Sequence, residues 1–131
     1  MFRPMKHNKY LNLKTEVDGK TFDSRKEAKY YMVLKQREKD GEIKDLRLQV
    51  PYEIIPAVYR EETVQLKTKE KKLTRCISRA AYYVADFVYV DVATGKEMVI
   101  DVKSEITRKN PEYRLKKKMM LAFNNIEIQE V

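Results

Sequence analysis

The spacing of apolar residues changes several times along the chain, and each change predicts a different element. After Ser24, residues Ala28, Tyr31, Met32 and Leu34 recur at helical spacing. The capping-box pattern Ser24-Arg25-Lys26-Glu27 precedes them and Asp40-Gly41 stops them, so a helix is predicted from about Arg25 to Lys39. Between Ile43 and Ile55 the period falls to two, with Leu46, Leu48, Val50 and Tyr52 alternating as in a half-buried strand. Pro51 and Pro56 put that strand at a sheet edge or a bend, because proline donates nothing to a ladder. Upstream, Asp18-Gly19 between Glu16-Val17 and Thr21-Phe22 predicts a small hairpin.

The second half follows the same logic. Tyr82 to Val92 and Glu97 to Ser104 are rich in aromatic and β-branched residues, and Ala93-Thr94-Gly95-Lys96 turns between them, which predicts an antiparallel pair. Asn110-Pro111 opens a second helix that would carry Leu115, Met119, Ala122 and Phe123 inward and Lys116, Lys117 and Lys118 partly outward. Asn124-Asn125 ends it, and Ile126-Glu127-Ile128 supplies a last short strand. From Tyr59 to Arg79 the chain is highly charged; Val64, Leu66 and Thr68 allow a projecting hairpin, and the charge equally allows a flexible arm. The order of elements predicts an α/β fold, a mixed β-sheet flanked by helices, in one domain over 1–131, with a basic arm at 1–14 and the charged segment at 59–79.

Charge narrows the partners. The 131 residues carry 28 Lys+Arg against 20 Asp+Glu, a net charge of +8, which favours a polyanion and makes nucleic acid the expected partner. The single cysteine, Cys76, excludes intramolecular disulfides and Cys-rich zinc modules and suggests a reducing compartment. No apolar run approaches the ~20 residues of a membrane span, and the N-terminus turns polar at once, so a cytoplasmic protein without a membrane role is expected. With three glycines there is no phosphate-binding glycine loop and hence no nucleotide cofactor. His7, the only histidine, removes His-rich metal sites and HNH-type chemistry.

Acids inside the two hydrophobic strands are the informative feature. Period-2 geometry puts Asp86 in a row with Tyr82, Val84, Val88 and Val90, where a carboxylate needs a cation, a strong donor or a proton. On the next strand Val99, Asp101 and Lys103 share one face. A turn centred on Thr94-Gly95 sets Asp86 opposite Lys103 and Val88 opposite Asp101, so the polar groups converge; a slip of one whole residue keeps them together, whereas a change of loop parity separates them. Two carboxylates and a lysine suit a hard divalent cation such as Mg²⁺ (or Mn²⁺), which takes one or two protein carboxylates and leaves room for phosphate. Asp86 and Asp101 would be ligands, with the backbone carbonyl of Val102 as a third, and Lys103 would serve the attacking water or the developing charge. The implied chemistry is phosphodiester hydrolysis.

Ala85-Asp86 followed by Asp101-Val102-Lys103, with Glu27 on a preceding helix, resembles the PD-(D/E)XK nuclease superfamily, with Ala85 where the name-giving motif has proline. Lys9-Tyr10, Val17-Asp18-Gly19 to Glu27-Ala28, Gly41-Glu42-Ile43, Leu48-Gln49, Ala85-Asp86-Phe87 and Asp101-Val102-Lys103 look more narrowly like a small phage-encoded family of uncharacterised function related to junction-resolving endonucleases. That resemblance implies a restriction-endonuclease-like fold and a metal-dependent endodeoxyribonuclease encoded by phage or prophage. It further implies branched DNA such as a Holliday junction as substrate, and a homodimer that cuts two strands. By position it also brings Glu27 into the metal site. The residues leave Glu27 open, since Ser24-x-x-Glu27 is a capping box while Glu27, Tyr31 and Leu34 form an inward stripe. DNA contacts are expected from Lys6, Lys9 and Lys14 of the arm, from Lys67, Lys69, Lys71, Lys72 and Arg75, and from Lys116 and Lys117, with Tyr113 and Thr107 nearby. Gln49 is expected to contact the site or to hydrogen-bond across the sheet, with the structural role favoured. The rival expectation is a non-catalytic nucleic-acid binder or replication accessory protein that keeps the nuclease fold.

Overall fold

The computed structural model describes residues 14–131, so Lys6 and Lys9, with most of the expected basic arm, lie outside the described residues. The elements are β1 (Thr15–Val17), β2 (Lys20–Phe22), α1 (Arg25–Lys39), β3 (Ile43–Ile55), β4 (Val58–Gln65), β5 (Glu70–Ser78), β6 (Ala81–Asp91), β7 (Glu97–Asp101), α2 (Glu105–Arg108), α3 (Pro111–Asn124) and β8 (Ile128–Glu130). The fold is mixed α/β. Its main sheet has the order β3-β6-β7-β8, while β1-β2 and β4-β5 are two-stranded sheets. β8 runs parallel to β7, pairing Val99 with Ile128 and Asp101 with Glu130. The short turn 92–96 reverses the chain between β6 and β7, so the sheet is mixed, as expected. Among the described residues no helix is long and apolar enough to cross a membrane.

The described residues gather into two compact units, one of 14–47 with Val88–Met98 and the other of Leu48–Phe87 with Val99–Val131. In the first, Asp18 and Gly19 take left-handed conformations (φ 53° and 74°), the turn that a two-residue hairpin needs. α1 starts at Ser24, whose Oγ accepts the Glu27 N–H at 3.1 Å, and it buries Glu27, Ala28, Tyr31 and Leu34. Phe22 packs on Tyr31 with ring centroids 5.0 Å apart, and the Arg37 guanidinium lies 5.5 Å from the Tyr89 ring centroid. Met32, expected inward, is half exposed, because the stripe is completed by Glu27 and Ala28 instead.

In the second unit the core consists of Ile54, Tyr83, Ala85, Phe87, Val99, Ile100, Tyr113, Met120 and Ile128. β3 alternates as the period-2 pattern predicts, with Leu46, Leu48, Val50, Tyr52 and Ile54 less exposed than their neighbours, and it is an edge strand, as its prolines require. Residues 58–78 form a regular hairpin rather than an irregular arm.

Three expectations are corrected. β7 ends at Asp101 rather than Ser104, because the Asp86 side chain takes the Val102 N–H and Ser104 becomes the cap of α2 in a reciprocal box with Thr107. β8 starts at Ile128 rather than Ile126, because Asn125 turns left-handed (φ 53°) and Ile126 N–H still caps the helix on Met120 O. On α3 the inward stripe is Tyr113, Lys116, Lys117 and Met120 at i, i+3, i+4 and i+7, while Leu115 and Phe123 are 53% and 65% exposed and Ala122 is exposed. Lysine stems are aliphatic, so Lys116 and Lys117 can pack inward while their ammonium groups reach Glu112 and Glu130.

Candidate active site

Asp86 sits on β6 with its neighbours on that face divided. Tyr82 and Val84 are exposed and Val88 is buried, which corrects the expectation of a uniformly apolar row; Tyr83, Ala85 and Phe87 fill the core instead. Asp86 is accordingly half-buried and held by donors: its Oδ2 accepts the Val102 N–H at 2.9 Å and its Oδ1 accepts from Gln49 Nε2 at 3.3 Å. The Gln49 bond crosses from β3 and ends on a carboxylate of the cleft, so both roles open to Gln49 coincide, and Gln49 adopts it from a left-handed backbone (φ 50°) inside a strand, a conformation unusual for a residue other than Gly, Asn or Asp. Such strain is commonly kept where a side chain must be aimed at a site.

The register behind this placement differs slightly from expectation. Asp91 N–H donates to Lys96 O at 2.9 Å, which centres the turn on Ala93–Thr94, one residue earlier than Thr94–Gly95. A whole-residue slip preserves parity, and Asp86 and Asp101 line one cleft.

Asp101, at the end of β7, is only 1% exposed. Its Oδ2 accepts from the Tyr83 hydroxyl at 2.6 Å, and its Oδ1 lies 3.3 Å from Lys103 Nζ. At that distance and an effective dielectric near 20 the Coulomb attraction is ~5 kcal/mol, and the desolvation it must offset is several kcal/mol per ion. The pair therefore roughly breaks even for folding, and stability alone does not account for it. Lys103 continues past the strand, its N–H donating to Val131 O at 3.0 Å, and its ammonium stands 4.5 Å from the centroid of the Tyr113 ring. Since residue 102 is extended between these bonds, its N–H and C=O point to the same edge; the N–H meets Asp86, so the Val102 carbonyl also faces β6.

The cleft is about 320 Å³, and its lining includes Asp86, Asp101, Lys103, Tyr83, Tyr113 and Lys116. Asn110 caps α3, its Oδ1 accepting Glu112 N–H and Tyr113 N–H, which fixes the wall that carries Tyr113 and Lys116. Lys116 Nζ lies 3.5 Å from Glu112 Oε1. Behind this wall Glu130 Oε1 accepts from Lys117 Nζ at 2.7 Å and from the Tyr113 hydroxyl at 3.0 Å, and Arg108 Nε lies 3.3 Å from Glu130 Oε2. The Lys117 bond, reinforced by Tyr113, holds the Glu130 carboxyl below its ordinary range against the opposing effect of burial. Burial, then hydrogen bonding to Asp101 and its charge, pushes the Tyr83 phenol far up; burial and the Asp101 charge do the same to Tyr113.

Of the residues expected from sequence, Asp86, Asp101, Lys103 and Lys116 meet in this cleft. Lys117 lies on the same helix but is tied to Glu130. Lys67, Lys69, Lys71, Lys72 and Arg75 are exposed on the β4–β5 hairpin, Lys14 is exposed before β1, and Thr107 is spent in the α2 cap. Glu27 lies in the first unit and is 7% exposed; its cap bond uses the backbone N–H and so does not depend on the carboxylate. Tyr83, Tyr113 and Glu130 are the supporting groups that the sequence reading passed over or only mentioned. Tyr83 lies on the core face of β6 with Ala85 and Phe87, and its hydroxyl nevertheless reaches Asp101 at the end of β7.

Among the described residues no group of three or more His, Cys, Asp or Glu forms a metal cage. Mg²⁺ typically takes one or two carboxylates and completes its shell with water and substrate phosphate, so the donor set Asp86, Asp101 and the Val102 carbonyl fits it. A family model for proteins of unknown function (DUF1064) matches residues 7–130. No curated protein and no solved structure matches the chain significantly.

Proposed function

Because the chain belongs to the DUF1064 family, whose function is unknown, the reading has to come from the cleft, and we propose that the protein is a divalent-metal-dependent DNA endonuclease. The observation that carries it is the nearly water-free Asp101 carboxylate, in contact with Lys103 and sharing a cleft with Asp86, an arrangement with no evident return in stability. Asp86, Asp101 and the Val102 carbonyl would hold the ion, which when bound supplies Lewis-acid polarisation of the phosphodiester and acidifies water. The protein's own groups do the rest. Tyr83 holds Oδ2 of Asp101 in place and Lys103, braced by Asp101 and the Tyr113 face, meets the charge growing on the phosphate or moves a proton to or from water. Lys116 on the opposite wall offers a second cation to the scissile phosphate.

The PD-(D/E)XK resemblance supports the same chemistry and adds a restriction-endonuclease-like fold, phage origin, a branched substrate such as a Holliday junction, and a homodimer that cuts symmetric strands. The test is cleavage of labelled junction, flap and linear duplex DNA with Mg²⁺ or Mn²⁺, comparing wild type with Asp101→Asn, Lys103→Ala and Glu27→Gln. Loss of cutting in the first two supports the site. Equal cutting by wild type and Asp101→Asn sinks it, and DNA binding without cutting of any substrate favours the non-catalytic binder.

A further inference from the structure

The β4–β5 hairpin forms a two-stranded sheet by itself, and its register sorts its side chains onto two unlike faces. Directly opposed residues share a face, and successive pairs alternate. One face takes the pairs Arg60–Arg75, Glu62–Leu73 and Val64–Lys71, followed at the tip by Leu66 and Lys69, which are joined by the Leu66 N–H to Lys69 O bond. It carries four cations, one carboxylate and three exposed aliphatic side chains. The other takes Glu61–Thr74, Thr63–Lys72 and Gln65–Glu70, and there a single cation, Lys72, faces two carboxylates. A two-stranded ribbon is at best marginally stable in water by itself, and like charges directly opposed, as at Arg60–Arg75, lower that stability further. The ribbon is built to be completed by something anionic that also presents apolar surface.

We propose that this face of the β4–β5 ribbon docks in the major groove of duplex DNA, resting on the reading of the protein as acting on DNA. A major groove about 12 Å wide admits a two-stranded ribbon, its rims are phosphates, and thymine methyls give its floor apolar points. Arg60, Lys69, Lys71 and Arg75 reach the rims and base edges while Val64, Leu66 and Leu73 meet the floor. A second copy of the same face is a poor occupant, because stacking two such ribbons opposes four cations to four. Lys72, adjacent to Lys71 and expected from sequence to contact DNA with it, alternates onto the other face of the ribbon and so leaves that set.

That adjacency supplies the test. Binding to a short duplex is measured by fluorescence anisotropy without divalent metal, over a range of salt, for wild type, Lys71→Ala and Lys72→Ala. Lys71→Ala is expected to weaken binding ~5-fold or more and to lower the salt slope by about 1, whereas Lys72→Ala leaves both within error. Dimethyl sulfate probing is expected to show guanine N7 protection by wild type that Leu73→Asp loses. Equal effects of Lys71→Ala and Lys72→Ala, or binding without N7 protection, overturn the proposal, as does failure of wild type to bind duplex at all. A wild-type dimer that Leu73→Asp converts to monomer in sedimentation also overturns it and assigns the face to a second copy. Because no cutting is needed, unequal effects with no cleavage would leave the ribbon inference standing while the nuclease reading fell, and equal effects with active cleavage would do the reverse.

Discussion

Replacing Tyr83 by Phe removes one oxygen and leaves the buried ring. The oxygen lost is the donor to Asp101 Oδ2 at 2.6 Å, in surroundings where Asp101 is 1% exposed and Tyr83 4%. Water cannot readily replace it, so the carboxylate oxygen is stranded rather than rehydrated. A hydrogen bond to a charged group contributes about 1.5–3 kcal/mol, and the penalty for stranding a buried acceptor is of the same order. Unfolding entropy near 2.1 cal/mol/K per residue gives a 131-residue chain about 0.28 kcal/mol/K, so Tm should fall by about 5–11 °C. Calorimetric or circular dichroism melts at pH 7 measure this directly. A double-mutant cycle with Asp101→Ala isolates the pair and should return a coupling of about 1.5–3 kcal/mol. If Tyr83→Phe melts within about 1 °C of wild type, or the coupling vanishes, Tyr83 does not hold Asp101 and the account of the site's rigidity fails.

Lys103→Met takes the cation from Asp101 while keeping the stem; with 23% of the Lys103 side chain exposed, the loss should be about 1–3 kcal/mol, below the 3–5 of a fully buried pair, and guanidinium melts should show it. Gln49→Gly and Gln49→Ala both remove the donor to Asp86 and should both reduce cutting, but only Gly relieves the left-handed backbone at φ 50°, so Gln49→Gly should be more stable than Gln49→Ala by about 0.5–1 kcal/mol in the same melts; a Gln49→Gly Tm at or below that of Gln49→Ala refutes the strain. Glu130 is held below its ordinary value of 4.5, so its contribution is present above about that pH and is lost as pH falls through the folded value; the Tm gap between wild type and Glu130→Gln should be full at pH 7 and close progressively on acidification below 4.5. Tyr83 and Tyr113 are raised, so their contribution is present below the ordinary phenol value near 10 and is lost as pH rises through the folded value; in an absorbance titration they should ionise only with alkaline unfolding, after the exposed tyrosines.

The regular elements were legible where one residue type forced the backbone. Asp18-Gly19, Ser24, Asn110-Pro111 and the β3 alternation each fixed a boundary or a face, because left-handed turns, caps and period-2 burial have few chemical solutions. The acids were legible for a related reason, since a carboxylate in a strand-forming run needs partners. What failed was side-chain reach. Lysine counted as polar, and so α3 was turned outward along Lys116 and Lys117, whose stems in fact lie beside Tyr113 and Met120. Tyr83 was not marked as a site residue, because strand alternation describes where a Cβ points and its hydroxyl sits a whole ring farther on. Lys103 was placed on a strand, although the strand stops when Asp86 captures the Val102 N–H.

The same error affects where the excess positive charge can act. In sequence, the run Lys116-Lys117-Lys118 is as prominent a basic patch as the segment around Lys71. In the fold, Lys116 is within reach of Glu112, and Lys117 shares Glu130 with Arg108. Their field is thus partly cancelled close to its source, and what remains is directed at the cleft rather than along an extended surface. On the β4–β5 ribbon the acids lie mostly on the opposite face, and the closest approach on the cationic face is the 3.7 Å Arg75–Glu62 pair, with both side chains well exposed and therefore weakly coupled. On the proposed reading, a polyanion many charges long would respond to the ribbon and a single phosphate to the cleft. Binding and cutting should therefore separate by mutation: charge removal on the ribbon should raise the DNA concentration needed without changing the rate once DNA is saturating, and Lys103→Ala should do the opposite.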